Sequence, residues 1–362
     1  MKSFVIVALC VALAHACPHS RRAVPDDTNA PLQVQLSRID NSRVRARVVN
    51  TASRGYNLHY KGSVLDKDSP ADKFGVHGSA TRARFNGVSF RIATSNLSDH
   101  DFMPIRAGQT IQRDIDLAEL YEVGTTDTYT IRARGAMPYA NIGSTELTGH
   151  SVPYTSNALT MDIDGDQARS VPYAINLAAK QQKRTALNSN SCPGDRGQLL
   201  QSALKNCADL ASNAARTAAS GADQLFSQHF HTDDPSVRNT VASRLNAVAE
   251  SCAARSSDGT SASCTDVYGM CSSGLLAYTL PSTNQLVFCD PFYQALPPLS
   301  QTCDGQDQAT TVLHEETHAP AVFSPPTVDY AYGHSADNLP TQDALMNADS
   351  YAMYANALYL GC

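Results

Sequence analysis

The sequence His314-Glu315-Glu316-Thr317-His318 sets two imidazoles four residues apart, with a carboxylate directly after the first. On a helix, positions four apart share a face, so both rings can reach one metal ion. Glu315, one position on, is placed to act as general base on a metal-activated water. With 11 His and 6 Glu in 362 residues, chance alone yields about 0.006 such matches. The chemistry indicated is zinc-assisted hydrolysis. Glu316 reads as a solvated helix residue. A catalytic zinc needs a third protein ligand and one open position. Glu316 is the last Glu, so a downstream glutamate ligand is excluded. Ala321 and Ser324 stand where a third-histidine motif would need Gly and His. The candidates left are Asp329, His334, Asp337, Asp343 and Asp349. Asp329 follows His318 closely enough to return after a turn at Ser324-Pro325-Pro326.

Several elements must position these residues. A helix is expected over 306–319, closed by Pro320, and another over 341–359, begun by Pro340-Thr341. Residues 197–230 are Ala-rich, with Leu199, Ala203, Cys207 and Leu210 at helical spacing. Residues 235–254 repeat the pattern through Val237, Val241, Leu245 and Val248, so Cys207 and Cys252 can tie two helices together. Residues 273–290 read as a hairpin, with Leu276, Tyr278 and Leu280 on one face of its first arm. Core burial is the default for Leu276–Leu280, and the alternative is that a substrate adds there as a strand. Upstream, residues 30–162 alternate in strand-like segments such as Leu32–Leu36, and a β-sandwich is expected. Residues 163–191 form a polar connector.

Charge divides the chain at the same place. The overall balance of −6 averages 22 basic and 17 acidic residues before Thr185 with 6 basic and 17 acidic residues after it. The second part therefore carries −11, and no Lys or Arg follows Arg255. An acidic surface repels nucleic acid and attracts cationic chains. Met1-Lys2, an apolar run to Ala14 and Ala14-His15-Ala16 make a secretory signal over 1–16. No apolar run of about 18 residues exists, so no membrane span is expected. The dibasic pair Lys183-Arg184 at the composition boundary reads as a processing site. Of ten Cys, Cys10 lies in the signal, Cys17 lies beside its cut, and the other eight all follow Arg184. Four disulfides in an oxidising compartment are expected. Asn96-Leu97-Ser98 is a glycosylation sequon.

Taken together, the chain resembles deuterolysin, the secreted fungal neutral zinc metallopeptidase of the aspzincin group. The resemblance rests on His314–Pro320, Pro326-Thr327-Val328-Asp329-Tyr330-Ala331-Tyr332-Gly333, Asn347-Ala348-Asp349-Ser350-Tyr351-Ala352 and the terminal Cys362. It implies a β-rich, sandwich-like propeptide over 17–184, followed by a mainly α-helical α+β zincin catalytic domain over 185–362 with a small β-sheet. It also implies one zinc on His314, His318 and Asp329, with Tyr332 stabilising the transition state. The pairs Cys192–Cys264, Cys271–Cys289 and Cys303–Cys362 follow from it, leaving Cys207–Cys252 as an additional pair. The family usually has Gly-Thr where this chain has Pro326-Thr327, and proline narrows the backbone there. His334 reads as a loop histidine or a substitute ligand. Asp349 reads as orienting a ligating histidine or lining an acidic pocket, and equally as a helix surface charge. The expected protein is an extracellular, monomeric endopeptidase that favours basic substrates such as histones and protamines. Its partners would be those substrates and its own propeptide, not nucleic acid or membrane. The competing reading is a secreted zinc-binding or adhesive protein without turnover.

Overall fold

A computed structural model describes residues 30–176, 192–221, 224–254 and 259–362. The expected signal (1–16) and the Lys183-Arg184 pair lie outside the described residues.

Alternation makes the N-terminal half a sheet protein. In β1 (Leu32–Arg38), Leu32, Val34 and Leu36 point inward and the residues between them outward. β2 (Arg43–Asn50) answers with Val44, Ala46 and Val48. Along a strand successive side chains face opposite sides, so each strand gives the core one apolar face. Seven strands form the larger sheet. Its order is β6 (Phe102–Ile105), β3 (Tyr56–His59), β9 (Arg134–Ala140), β10 (Leu147–Ser156), β1, β2 and β7 (Thr110–Asp116). Only β1 and β10 pair in parallel within it. A smaller sheet runs β11 (Leu159–Ile163), β8 (Asp127–Arg132) and β4 (Gly75–His77). Leu32, Val48 and Leu58 from the first sheet and Val76, Ile131 and Ile163 from the second share one core. The connector after β11 is not featureless, because Gly165–Arg169 forms a short helix, α1, capped by Asp164.

Helices dominate the second half. In α2 (Asp195–Ser220), Leu200, Ala203, Cys207, Leu210, Ala211 and Ala214 recur at helical spacing and are buried. The alanines let α2 lie close to α4 (Pro235–Ala253), where Val241, Leu245 and Val248 face it. The helix expected over 197–230 is in fact two. Gly221 ends α2 in the left-handed conformation at φ 69°, and α3 (Leu225–Phe230) follows as a separate turn. After α5 (Asp290–Ala295), α6 (Gln308–Thr317) is buried along its whole length. Asp307 starts it, accepting from the N–H and hydroxyl of Thr310, both at 2.7 Å, and from the N–H of Ser300 at 2.8 Å. The last helix is also divided, into α7 (Thr341–Ala344) and α8 (Ala348–Leu360).

A four-stranded sheet joins the halves. β12 (Ser261–Ser263), β14 (Gln285–Phe288) and β13 (Leu275–Leu280) belong to the second half, and β5 (Ser89–Ile92) completes it from the first. The hairpin is present, but all six residues of β13 are buried, not one face. The disulfides are Cys192–Cys264, Cys207–Cys252, Cys271–Cys289 and Cys303–Cys362, every one within the second half. Among the described residues, no helix is long and apolar enough to cross a membrane.

Candidate metal centre

His314 lies in the last turn of α6 and His318 caps its C-terminus with a still-helical backbone, so the four-residue spacing keeps both rings on one side. Their Nε2 atoms are 3.2 Å apart, and Asp329 Oδ1 lies 3.2 Å from each. Among the described residues these three form the one cluster of His, Cys, Asp or Glu with metal-ligand spacing. Asp329 Oδ1 is buried and receives no hydrogen bond. Burying such a lone pair without a donor is costly unless a cation fills the space. The donor set of two imidazole nitrogens and one carboxylate oxygen suits zinc.

His318 donates from Nδ1 to Thr327 O at 3.1 Å, which leaves its Nε2 lone pair toward Asp329. His314 Nδ1 lies 3.3 Å from Asp349 Oδ1 and 3.2 Å from an Arg91 nitrogen, and its Nε2 faces Asp329. Burial, with Arg91 nearby, pushes the His314 pKa down to about 3, so the ring is neutral. For Asp329, burial works the other way, but His318 and His314 hold its carboxyl well below the usual range.

Asp329 comes from a loop that is pinned to the start of α8. Val328 donates to Met346 O at 2.7 Å and Ala348 to Val328 O at 3.1 Å. Asn347 Oδ1 accepts from the N–H groups of Tyr330 and Ala331 at 2.9 and 3.1 Å. Asn347 can do so because the backbone leaves the helix there, which is the reason α7 and α8 are separate. Gly333 adopts φ 54° and donates to Asp349 Oδ2 at 2.5 Å. A side chain at that position would strain the left-handed turn.

Glu315 is wholly buried beside the triad. Its Oε2 accepts from the Thr279 hydroxyl at 2.5 Å, while Oε1 has no partner. Burial raises its pKa to about 8. Tyr332 stands across the site, its ring stacked on His314 at 6.1 Å between centroids. Burial and the nearby carboxylates of Asp329 and Glu315 keep its hydroxyl protonated. Glu316 corrects an expectation: it is buried, not solvated, and accepts from Ser251 at 2.8 Å and Thr260 at 3.0 Å. Its whole helix is enclosed, so there is no solvent face for it to occupy.

The other candidate ligands lie apart from the triad. His334 is 62% exposed and faces Asp304 and Asp337. Asp337 also accepts from buried His229, and Asp343 pairs with Arg134. Asn96 is exposed and outside the centre. Three neighbours carry no sequence signal: Thr279, and Phe90 and Arg91 of β5. Phe90 O lies 3.3 Å from His314 Nε2, and Arg91 pairs with Asp349.

A family model described as the deuterolysin metalloprotease (M35) family matches residues 1–362. A neutral protease 2 homologue of Botryotinia fuckeliana is 42% identical over 363 residues, covering 100% of both chains. Neutral protease 2 of Aspergillus oryzae is 40% identical over 332 residues, covering 91% of this chain and 92% of that one. A zinc peptidase from Grifola frondosa superimposes with a TM-score of 0.32 and 23% identity, over 44% of this chain and 95% of that one.

Proposed function

The chain belongs to the deuterolysin metalloprotease family and is a zinc metalloendopeptidase, and we propose that His314, His318 and Asp329 hold its zinc while Glu315 and Tyr332 carry the reaction. The observation that carries this reading is Asp329 Oδ1, buried without a donor and equidistant from two Nε2 atoms.

When bound, the zinc supplies a Lewis acid that activates water and polarises the peptide carbonyl. Glu315 takes the water's proton at Oε1, the oxygen left free by Thr279, and delivers it to the leaving nitrogen. The Tyr332 hydroxyl donates to the carbonyl oxygen as negative charge develops on it. Asp349, 3.3 Å from His314 Nδ1, orients that ring.

In this reading residues 1–16 direct secretion, 17–184 form a propeptide and a cut after Lys183-Arg184 frees a catalytic domain of 185–362. The enzyme acts outside the cell as a monomer with one zinc. Its −11 charge draws basic protein substrates by electrostatic steering.

The test is made on processed protein. Glu315→Gln should abolish peptide hydrolysis while zinc content stays near one per molecule, by metal analysis; undiminished hydrolysis sinks the mechanism. Asp329→Ala should release the zinc, and stoichiometric retention would point to another ligand such as His334.

A further inference from the structure

β5 belongs to the N-terminal half by sequence, yet it pairs antiparallel with β13 of the catalytic half. Ser89 lies opposite Thr279, Phe90 opposite Tyr278 and Arg91 opposite Ala277. Without β5, this side of β13 would be the free edge of a three-stranded sheet, open to strand addition. That edge borders the triad. The Phe90 carbonyl oxygen accepts from the Tyr332 hydroxyl at 2.9 Å and sits 3.3 Å from His314 Nε2. The Phe90 N–H donates to Asp329 Oδ2 at 3.2 Å. The groups assigned to a reacting peptide thus already meet one.

The next side chain strengthens the likeness. Arg91 is 3% exposed and pairs with Asp349, itself 2% exposed. A buried guanidinium costs several kcal/mol unless an acid meets it. A residue with no task beyond packing in a sheet would be apolar, as Val88 and Ile92 are. The strand is also fastened at each end. Val88 donates to Pro70 O in its own half and Ala93 to Gly274 O in the other, both at 2.9 Å. Gln306 donates to Ile92 O and accepts from the Thr94 N–H and hydroxyl, all at 2.9 Å.

We infer that Ser89–Ile92 is a built-in occupant of the peptide cleft. It lies on the β13 edge as an extended substrate would, with the Phe90 carbonyl at the triad and Arg91 seated on Asp349, and blocks the site until the strand leaves. The inference rests on the ligand and catalytic roles proposed above. It also identifies the partner that the cleft edge fits: an extended chain with a cationic side chain immediately after the carbonyl that faces the triad.

The test uses the full chain carrying Lys183→Gln and Arg184→Gln, so that the halves stay joined. Three forms are compared: this parent, parent plus Arg91→Lys, and parent plus Arg91→Glu. Hydrogen exchange over 275–280 is followed on metal-free protein, and cleavage of an internally quenched basic peptide on zinc-loaded protein. Arg91→Glu sets like charges together and should speed exchange at 275–280 at least tenfold, with 32–50 unchanged. It should also raise hydrolysis at least tenfold, while Arg91→Lys behaves as the parent. Should Arg91→Glu lose protection over 32–50 as well, Arg91→Ala carries the same expectation. Equal exchange in every form, or a parent that already cleaves the peptide at the rate of the Arg91→Glu form, overturns the inference. Faster exchange without hydrolysis upholds the occupant and counts instead against the roles given to Glu315 and Tyr332.

Discussion

A carboxylate must be aimed before it can serve as a base, and Thr279 would aim Glu315 in the role proposed for it. Its hydroxyl lies 2.5 Å from Glu315 Oε2 and 3.1 Å from the Glu315 carbonyl, which holds the side chain with Oε1 free. Thr279→Val keeps the shape and removes the donor. It should lower kcat about tenfold to a hundredfold with zinc content and KM little changed, and Thr279→Ser should restore most of the loss. Steady-state kinetics with metal analysis decides the matter; an equal fall in zinc content would mean that Thr279 only supports the fold. At this scale the sequence is legible where spacing alone imposes geometry. His314 and His318 could be paired without any fold, because four residues is one helical turn. Asp329 could only be carried over from a resemblance, since five acids and histidines downstream were equal by count. Thr279 was invisible, being one hydroxyl in an otherwise apolar strand. Arg91 lies more than 200 residues from the helix it reaches, and nothing local marks it.

Among the elements, α2 and α4 form the platform on which α6 rests, and Cys207–Cys252 pins the two across a separation of 45 residues. Closing a loop of that size restricts the unfolded chain by about 4 kcal/mol. Cys207→Ala with Cys252→Ala should therefore lower the unfolding free energy of the second half by about 3 to 4 kcal/mol, read from the urea midpoint. Activity per folded molecule should stay unchanged, because neither residue approaches the triad. The existence of these helices was readable from apolar spacing and from Asp234-Pro235. Their interruptions were less so. Leu345 and Met346 continue the apolar pattern across the break before α8, and only the loop held by Asn347 shows why the helix stops there. The hairpin arm Leu276–Leu280 reads as one-sided in sequence because its second cover, β5, comes from a distant part of the chain.

At the scale of the whole molecule, cations of the basic half meet acids of the acidic half. Arg91 reaches Asp349, and Arg134 pairs with Asp343 while lying over the Tyr330 ring. The N-terminal half also carries a pH-sensitive element in its core. His59 is 1% exposed, lies edge-on to Phe102, and neither ring nitrogen has a partner. Burial drives its pKa from 6.5 down to about 4, with Asp101 and Asp66 opposing the fall and Lys61 adding to it. Folding thus favours the neutral ring. This contribution is complete above pH 6.5 and is lost as the pH falls toward 4, because the unfolded chain takes up the proton first. The loss amounts to about 3 kcal/mol over that range. His59→Phe should flatten the acid limb of the stability curve relative to the unchanged chain; parallel curves would show that His59 is not responsible.

Among the described residues, the four disulfides all close within 192–362 and none ties the two halves together. If the proposed cut severs the connecting chain, the order of the equilibrium changes. Before it, the strand would meet the proposed cleft at an effective concentration set by their tether; after it, they would be two molecules obeying mass action. The fraction of open sites then depends on dilution and on the dissociation constant of the pair. On the proposed occupancy, material cut but still crowded would stay silent, and the same material would grow active as it spreads. Distance from its source, rather than the moment of cutting, would set where such a protease begins to work.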